Sequence, residues 1–214
     1  LGDTKSALLS YESSLKIQEE LRKRDPDSAK YALDLSITYD RLVDIYKTLG
    51  DTKSSLQSYE RQKEIAEELR KRDPDSAEYA RALSASYINV GDIYKALGDT
   101  KSALQSFEFS LKIVEELRKR DPDSAEYARD LIVIYYKLQM ENHLIKALLY
   151  MKERNMYMDP PLMQLCKRYR IEDGSKSTIQ TQQNVMKNDL TVNNDANKKT
   201  IQQPEEIGKE DLLS

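Results

Sequence analysis

The sequence has little of what metal sites, disulfide frameworks and β-rich folds require. Its 214 residues include one Cys, one His and no Trp. A single Cys excludes an internal disulfide, and one Cys with one His is too few for the usual zinc clusters. Six Gly and six Pro provide few turns for a sandwich or a barrel. We therefore expect an all-α chain that binds no metal and no other cofactor.

Charge and hydropathy argue against nucleic-acid and membrane partners. The 34 basic and 37 acidic residues give a formal net charge of −3, so no overall field attracts a polyanion. No stretch approaches the roughly 18 consecutive apolar residues of a membrane span, and no charged-then-apolar leader opens the chain. We expect a soluble, cytoplasmic protein that binds neither nucleic acid nor membrane.

What the sequence does contain is an internal repeat with a step of 48 residues. Leu-Gly-Asp-Thr-Lys-Ser occurs at residues 1–6, 49–54 and 97–102. Arg-Asp-Pro-Asp-Ser-Ala occurs at residues 24–29, 72–77 and 120–125. Fixed periods of 20–50 residues are typical of stacked repeat architectures.

Each period divides into two helices of about 20 residues. One apolar stripe ends at Gly98, which fits a left-handed position after a helix, and Asp99 or Thr100 then caps the next helix. The following Asp-Pro-Asp block stops that helix, because proline cannot continue it. Asp123 or Ser124 begins the helix after that. The same punctuation recurs in each period.

The middle period resembles the tetratricopeptide repeat. The family's order of aromatic, apolar-Gly pair, Tyr, Gly, Ala and aromatic is matched by Tyr87, Val90-Gly91, Tyr94, Gly98, Ala103 and Phe107. The family's helix pair usually has 34 residues, so both helices look lengthened here. The resemblance covers roughly residues 1–165 and implies an α-solenoid, a right-handed superhelix of antiparallel helix pairs.

The copies are not identical. Val43 stands where the middle period has Gly91, and Ser55 replaces its Ala, which predicts looser or shifted packing in the earlier period. After Tyr135 the register fails, and the best match places the family's Ala at Ala147, four residues early. The last repeat is therefore expected to be atypical.

Three regions follow from this pattern. Residues 1–158 are interpreted as a repeat array: the second helix of one repeat, two full periods and a degenerate last repeat. Residues 159–170 are expected to form a capping helix. Its apolar face comprises Leu162, Leu165, Cys166 and Tyr169. Residues 171–214 have no aromatic residue and many Asn and Gln, and are predicted to be a disordered tail.

No catalytic constellation can be assembled from the polar residues. His143 is interpreted as a solvent-facing or packed side chain, and Cys166 as a buried apolar one. The Asp-Pro-Asp blocks fall where helices need caps, which explains them better than cation binding. Arg-Lys-Arg triplets at residues 22–24, 70–72 and 118–120 follow glutamates at i−4 spacing, as in the pair Glu68 and Arg72. We expect no enzyme and no metal site.

The family resemblance implies that the first helix of each pair lines a concave groove. The positions it points to are Ile37, Asp40, Arg41, Asp44 and Lys47, then Ala85, Ile88, Asn89, Asp92 and Lys95. Acidic, basic and amide side chains that recur along these helices, with Ile37 and Ile88 as apolar contacts, can bind an extended or helical peptide. Similar repeats use an Asn at one of these positions to bind the C-terminal carboxylate of a partner. Asp stands at that position here, which argues against the binding of a C-terminal carboxylate.

The sequence thus predicts a non-catalytic scaffold that binds a protein or peptide in the groove. The alternative is a self-assembly module, or a regulatory fragment of a larger bacterial-type signalling protein, stacking through open terminal helices. Residues 3–24 match a second helix without the first helix that should pack on it, leaving Leu8, Tyr11 and Leu15 uncovered. We expect homo-oligomers through this N-terminal helix, or fraying there.

Overall fold

The computed structural model describes residues 2–171, which form eight α-helices and no strand. The helices are α1 (Gly2–Arg24), α2 (Ala29–Leu49), α3 (Thr52–Arg72), α4 (Ala77–Ala96), α5 (Thr100–Arg120), α6 (Ala125–Lys137), α7 (Glu141–Glu153) and α8 (Pro160–Arg168). The fold is an α-solenoid in which consecutive helices from α1 to α7 pack as neighbours. These seven belong to one compact unit ending at Tyr157, and α8 belongs to a second beginning at Met158.

Two kinds of N-cap set the helix starts. Ser28, Ser76 and Ser124 open α2, α4 and α6, and each hydroxyl accepts the backbone N–H three residues on, at 3.2–3.3 Å. Asp51 and Asp99 open α3 and α5 by accepting a backbone N–H at 3.0 Å. Of the alternatives that the sequence left open, the structure has Asp99 and Ser124. Each cap satisfies a backbone donor that the helix leaves free.

Left-handed glycines end α2 and precede α5 as predicted. Gly50 has φ +73° and Gly98 has φ +81°, a region that residues with a side chain rarely adopt. The first aspartate of each Asp-Pro-Asp block, Asp73 or Asp121, is the C-cap of the preceding helix. These blocks therefore have the capping role that the sequence analysis gave them.

The core lies where the second helix of a pair packs between the first helix of its own pair and the first helix of the next pair, as α3 does between α2 and α4. Leu35 and Leu42 of α2 pack with Ile65 and Leu69 of α3, and Leu8, Tyr11 and Leu15 of α1 pack partly against this cluster. The expectation that those three α1 residues are uncovered is therefore wrong, because α2 covers them in part. Leu9 and Ile17 are the large apolar α1 residues left open, at 65% and 63% exposure.

Gly91 allows a close approach between α4 and α5. A Cβ added there would lie 2.6 Å from Cε1 of Phe107, which is well inside van der Waals contact. In the preceding period the same two positions hold Val43 and Tyr59, and both are buried. The burial of this pair gives no sign of the looser packing expected there.

The first helix of the last repeat is shorter by seven residues than that of the preceding repeat. The helices α6 and α7 have 13 residues each, and α7 begins seven residues before the position equivalent to Thr100. The structural counterpart of Ala103 is consequently Leu144, which is buried, and the placement of that position at Ala147 is wrong. Seven residues are about two helical turns, so the deletion keeps the apolar stripe on the same face.

In the second unit, α8 is the short amphipathic helix expected for residues 159–170. Leu162 and Cys166 are buried, and Cys166 contacts Sδ of Met158 at 3.6 Å. Ile171, assigned to the tail, is buried and donates its N–H to the carbonyl of Cys166 at 2.8 Å. The rest of the predicted disordered tail lies outside the described residues, and the capping role of α8 stays a prediction.

Candidate partner-binding groove

A cavity of about 330 Å³ lies between α2 and α4, above the second helix that joins them. Its lining comprises Leu33, Ser36, Ile37 and Asp40 of α2, Gln62, Ile65, Ala66 and Leu69 of α3, and Tyr79, Ala82, Ala85, Ser86 and Asn89 of α4. Most of these side chains are apolar or small. Leu33 is 37% exposed and Ile37 57% exposed, so aliphatic surface remains open to solvent at the mouth.

Two carboxylates of α2, Asp40 and Asp44, lie toward the C-terminal end of the helix from Ile37. Asp40 lies at the edge of the cavity, and Asp44, one turn further on, is exposed. Ile37, Asp40 and Asp44 share one face of the helix, since their spacings are three and four residues. Among the described residues, neither aspartate has a side-chain hydrogen bond or an ion pair. This end of the groove therefore presents two carboxylates that have no internal partner within residues 2–171.

The equivalent surface between α4 and α6 is different because ion pairs cross it. Lys137 of α6 donates to both carboxylate oxygens of Asp92 on α4, at 2.6 and 2.7 Å. Arg81 of α4 binds Asp130 at 2.9 Å and Glu126 at 2.7 Å. Its hydrogen bond to Asp130 raises the pKa of the Arg81 guanidinium. The charges on this surface are satisfied within the chain.

The 48-residue step explains the contrast position by position. Asn89 occupies the place of Lys137, so an amide side chain stands in this repeat where the ammonium group that pairs with Asp92 stands in the next. Leu33 and Ala82 occupy the places of Arg81 and Asp130, so an apolar pair replaces an ion pair. The α2–α4 surface is consequently apolar and acidic where the α4–α6 surface is ionic and neutralised.

The residues expected to line a groove are only partly brought together. Ile37, Asp40, Ala85 and Asn89 line the cavity. Lys47 instead donates to the hydroxyl of Tyr59 at 2.8 Å, and Asp92 is held by its lysine. Four more lie outside the cavity lining: Arg41, Asp44 and Lys95, which are exposed, and Ile88, which is half-buried.

Sequence reasoning missed several apolar contributors to this cavity, among them Leu33 of α2 and Ala82 of α4. A signal for these two was present. The equivalents of Leu33 in later periods are Arg81 and Arg129, so an aliphatic residue replaces a cation at one copy of a repeated position. Such an exchange on an exposed helix face indicates a local change of surface chemistry.

Two tyrosines connect first helices to the second helices before them. Tyr39 donates its hydroxyl to Glu19 at 3.3 Å, and Tyr87 donates to Glu67 at 2.8 Å. Burial, with the adjacent carboxylates, raises the pKa of both phenols to about 12. Tyr39 and its equivalent two repeats later, Tyr135, are buried in the core.

The basic triplets reach back to the turn of the preceding period. Arg72 pairs with Glu68 at the expected i−4 spacing, and also donates to the carbonyl of Pro26 at 2.7 Å. Arg120 reaches the carbonyl of Asp75 at 3.4 Å in the same way. In the last repeat, the hydroxyl of Tyr150 donates to the carbonyl of Pro122 at 2.8 Å. These contacts join consecutive periods at one end of the helix pairs.

A sequence model of the tetratricopeptide repeat family matches residues 37–69 and 84–113. Each match begins inside a first helix, α2 or α4, and ends inside the second helix that follows, α3 or α5. The chain contains tetratricopeptide repeats. Proteins with such repeats generally mediate protein–protein interactions, and the cavity lies within the matched segments and the helix residues next to them.

Among solved structures, the tetratricopeptide repeat chain is similar to BtubC (BKLC) from P. vanneervenii, with 18% identity over 99% of this chain and 98% of that one, at a TM-score of 0.39. The DHF119 filament is 14% identical over 88% of this chain and 94% of that one, at a TM-score of 0.33. MamA is 16% identical over 73% of this chain and 98% of that one, at a TM-score of 0.22. No curated protein sequence matches the chain significantly.

Two further kinds of site were sought in the part of the chain that the structure describes. None of its helices combines the length and the apolar character needed to cross a membrane. Within residues 2–171, no three His, Cys, Asp or Glu side chains are grouped so as to hold a metal ion. His143 is exposed beside the ring of Tyr135, at 5.3 Å between centroids.

Proposed function

We propose that this tetratricopeptide repeat protein is a non-catalytic scaffold that binds a segment of a partner protein in the groove between α2 and α4. The observation that carries the proposal is the open cavity with Leu33 and Ile37 at its mouth. Exposed aliphatic surface next to a concavity is typical of binding sites on soluble proteins. Ion pairs cover the equivalent position one repeat later.

A cavity-filling substitution tests this proposal. Ala85→Trp places a large ring in the cavity, and Ala96→Trp is the matched control, because Ala96 is exposed on the same helix outside the lining. We expect the wild-type protein and the Ala96 variant to capture the same partner with equal affinity, and the Ala85 variant to lose it. Equal circular dichroism spectra would exclude unfolding as the cause. Retention of the partner by the Ala85 variant would contradict the proposal.

A second function, self-association through α1, is favoured by one comparison. Ile17 is 63% exposed, whereas Ile65, its equivalent in α3, is 6% exposed beneath α2. A helix from another copy could cover Ile17 as α2 covers Ile65. Sedimentation of the wild-type protein and of Ile17→Arg tests this: we expect concentration-dependent dimers in the first sample and monomers in the second. Monomers in both samples would contradict self-association.

A further inference from the structure

We infer that the α2–α4 groove selects an extended basic peptide, with an aliphatic side chain in the cavity and a lysine or arginine paired with Asp40 and Asp44. This inference rests on the proposed function and adds the chemistry of the partner. The occupant is specified by the two features described for the site: an aliphatic mouth and two carboxylates without an internal partner.

Charge complementarity assigns the sign of the partner. In the next repeat, an internal lysine supplies the cation for Asp92, and an arginine supplies it for Asp130. At the α2–α4 surface the position of that lysine is taken by Asn89, so the chain provides no ammonium group to Asp44. A cationic side chain of a bound peptide would take the place that Lys137 has beside Asp92. Such complementarity contributes to specificity and to the association rate.

The spacing along α2 predicts the spacing in the peptide. Seven residues separate Ile37 from Asp44, which corresponds to about 10 Å at the rise of an α-helix. An extended strand covers that distance in about three residues. Asp40 lies between the two positions on the same helix face, so it can share the cation or bind a second one. The expected motif is therefore an aliphatic residue about three positions from a lysine or arginine.

The probe for this inference is a phage-displayed library of random 12-residue peptides, selected on the wild-type protein at low salt. We expect the selected peptides to combine an aliphatic residue with a basic residue at about this spacing. The highest-ranked peptide is then synthesised, and its Kd is measured by fluorescence anisotropy. The Ala85→Trp variant serves here to show whether that peptide occupies the groove.

The decisive variant is Asp40→Asn with Asp44→Asn. Its control is Glu108→Gln with Glu115→Gln, which removes two exposed carboxylates from α5 outside the groove. Because exposed ion pairs are worth little each, we expect the groove variant to bind the peptide about three- to tenfold more weakly than the control. The difference should shrink at high salt, where exposed charges are screened.

The outcomes separate the two levels of the proposal. If peptides bind, lose affinity with Ala85→Trp, and yet carry no basic residue or ignore the two aspartates, the selectivity for basic peptides is overturned and groove binding stands. If Ala85→Trp leaves the affinity unchanged, or no peptide is selected, both the groove and its selectivity are overturned. Weaker binding only by the variant lacking Asp40 and Asp44, with aliphatic-basic sequences selected, supports both.

Discussion

Gly91→Ala should destabilise the protein even though alanine is the better helix former. The new Cβ would lie 2.6 Å from Cε1 and 2.9 Å from Cδ1 of Phe107, whose side chain is itself fully buried. Overpacking of this kind typically costs about 1–3 kcal/mol. The gain from replacing a mid-helix glycine is about 0.5–1 kcal/mol. We therefore expect a net loss of about 1 kcal/mol in the free energy of unfolding, within the range of about 0–2.5 kcal/mol that the two contributions span.

The assay is urea denaturation of a double-mutant cycle with Phe107→Leu, which removes the ring that the new Cβ would meet. In that background, Gly91→Ala should become stabilising by about 0.5–1 kcal/mol, because only the propensity gain remains. Ala82→Gly, at an exposed position of the same helix, measures the propensity contribution on its own. If Gly91→Ala stabilises the wild-type protein as much as it stabilises the Phe107→Leu protein, the close contact does not limit this position.

Three further outcomes are expected. By urea denaturation, Ile65→Ala should cost about 2–5 kcal/mol and its exposed equivalent Ile17→Ala less than about 0.5 kcal/mol; equal losses would contradict an open α1 face. In an absorbance-monitored alkaline titration, the phenol of Tyr39 should ionise near pH 12, and the stability that its raised pKa provides should be lost as the pH rises from about 10 through 12; Tyr39→Phe should reduce this late step, and Tyr39→Phe with Tyr87→Phe should reduce it further, because the pKa of Tyr87 is also raised to about 12. By NMR, the pKa of Asp99, lowered by the hydroxyl and N–H of Ser102, should rise in Ser102→Ala, which removes the hydroxyl and keeps the N–H, and the stability from this cap should disappear as the pH falls through the lowered pKa; an unchanged pKa would contradict the hydrogen bond from the hydroxyl.

The helices and their ends were predictable because their causes are local. A proline, a left-handed glycine and a short polar cap act within a few residues, so Gly98 and the Asp-Pro-Asp blocks could be interpreted without tertiary information. The length of the last repeat was not predictable, because Gln139, which adopts φ +58°, replaces the glycine that stands at Gly98 in the preceding repeat. Without that glycine, the register was matched on an alanine instead, and the match at Ala147 was wrong.

The groove was predictable only in part, because it depends on which side chains pair across helices. Family offsets gave Ile37, Asp40, Ala85 and Asn89, which do line the cavity. They could not indicate that Lys137 neutralises Asp92, since the two are 45 residues apart and only tertiary packing brings them together. For the same reason, the family offsets could not distinguish Asp44, which has no internal partner among the described residues, from its equivalent Asp92, which is paired with Lys137.

The arginines that reach back to the preceding Asp-Pro-Asp turn bear on how the array unfolds. In a stacked repeat protein, cooperativity depends on the free energy of the interface between neighbouring repeats relative to the stability of each repeat alone. Arg72 and Arg120 contribute to that interface through charged, partly exposed contacts at the turns of Pro26 and Asp75. Salt screens such contacts but leaves the buried core largely unaffected. High ionic strength should therefore act mainly on the coupling, so that the repeats melt less as one unit and more as independent segments.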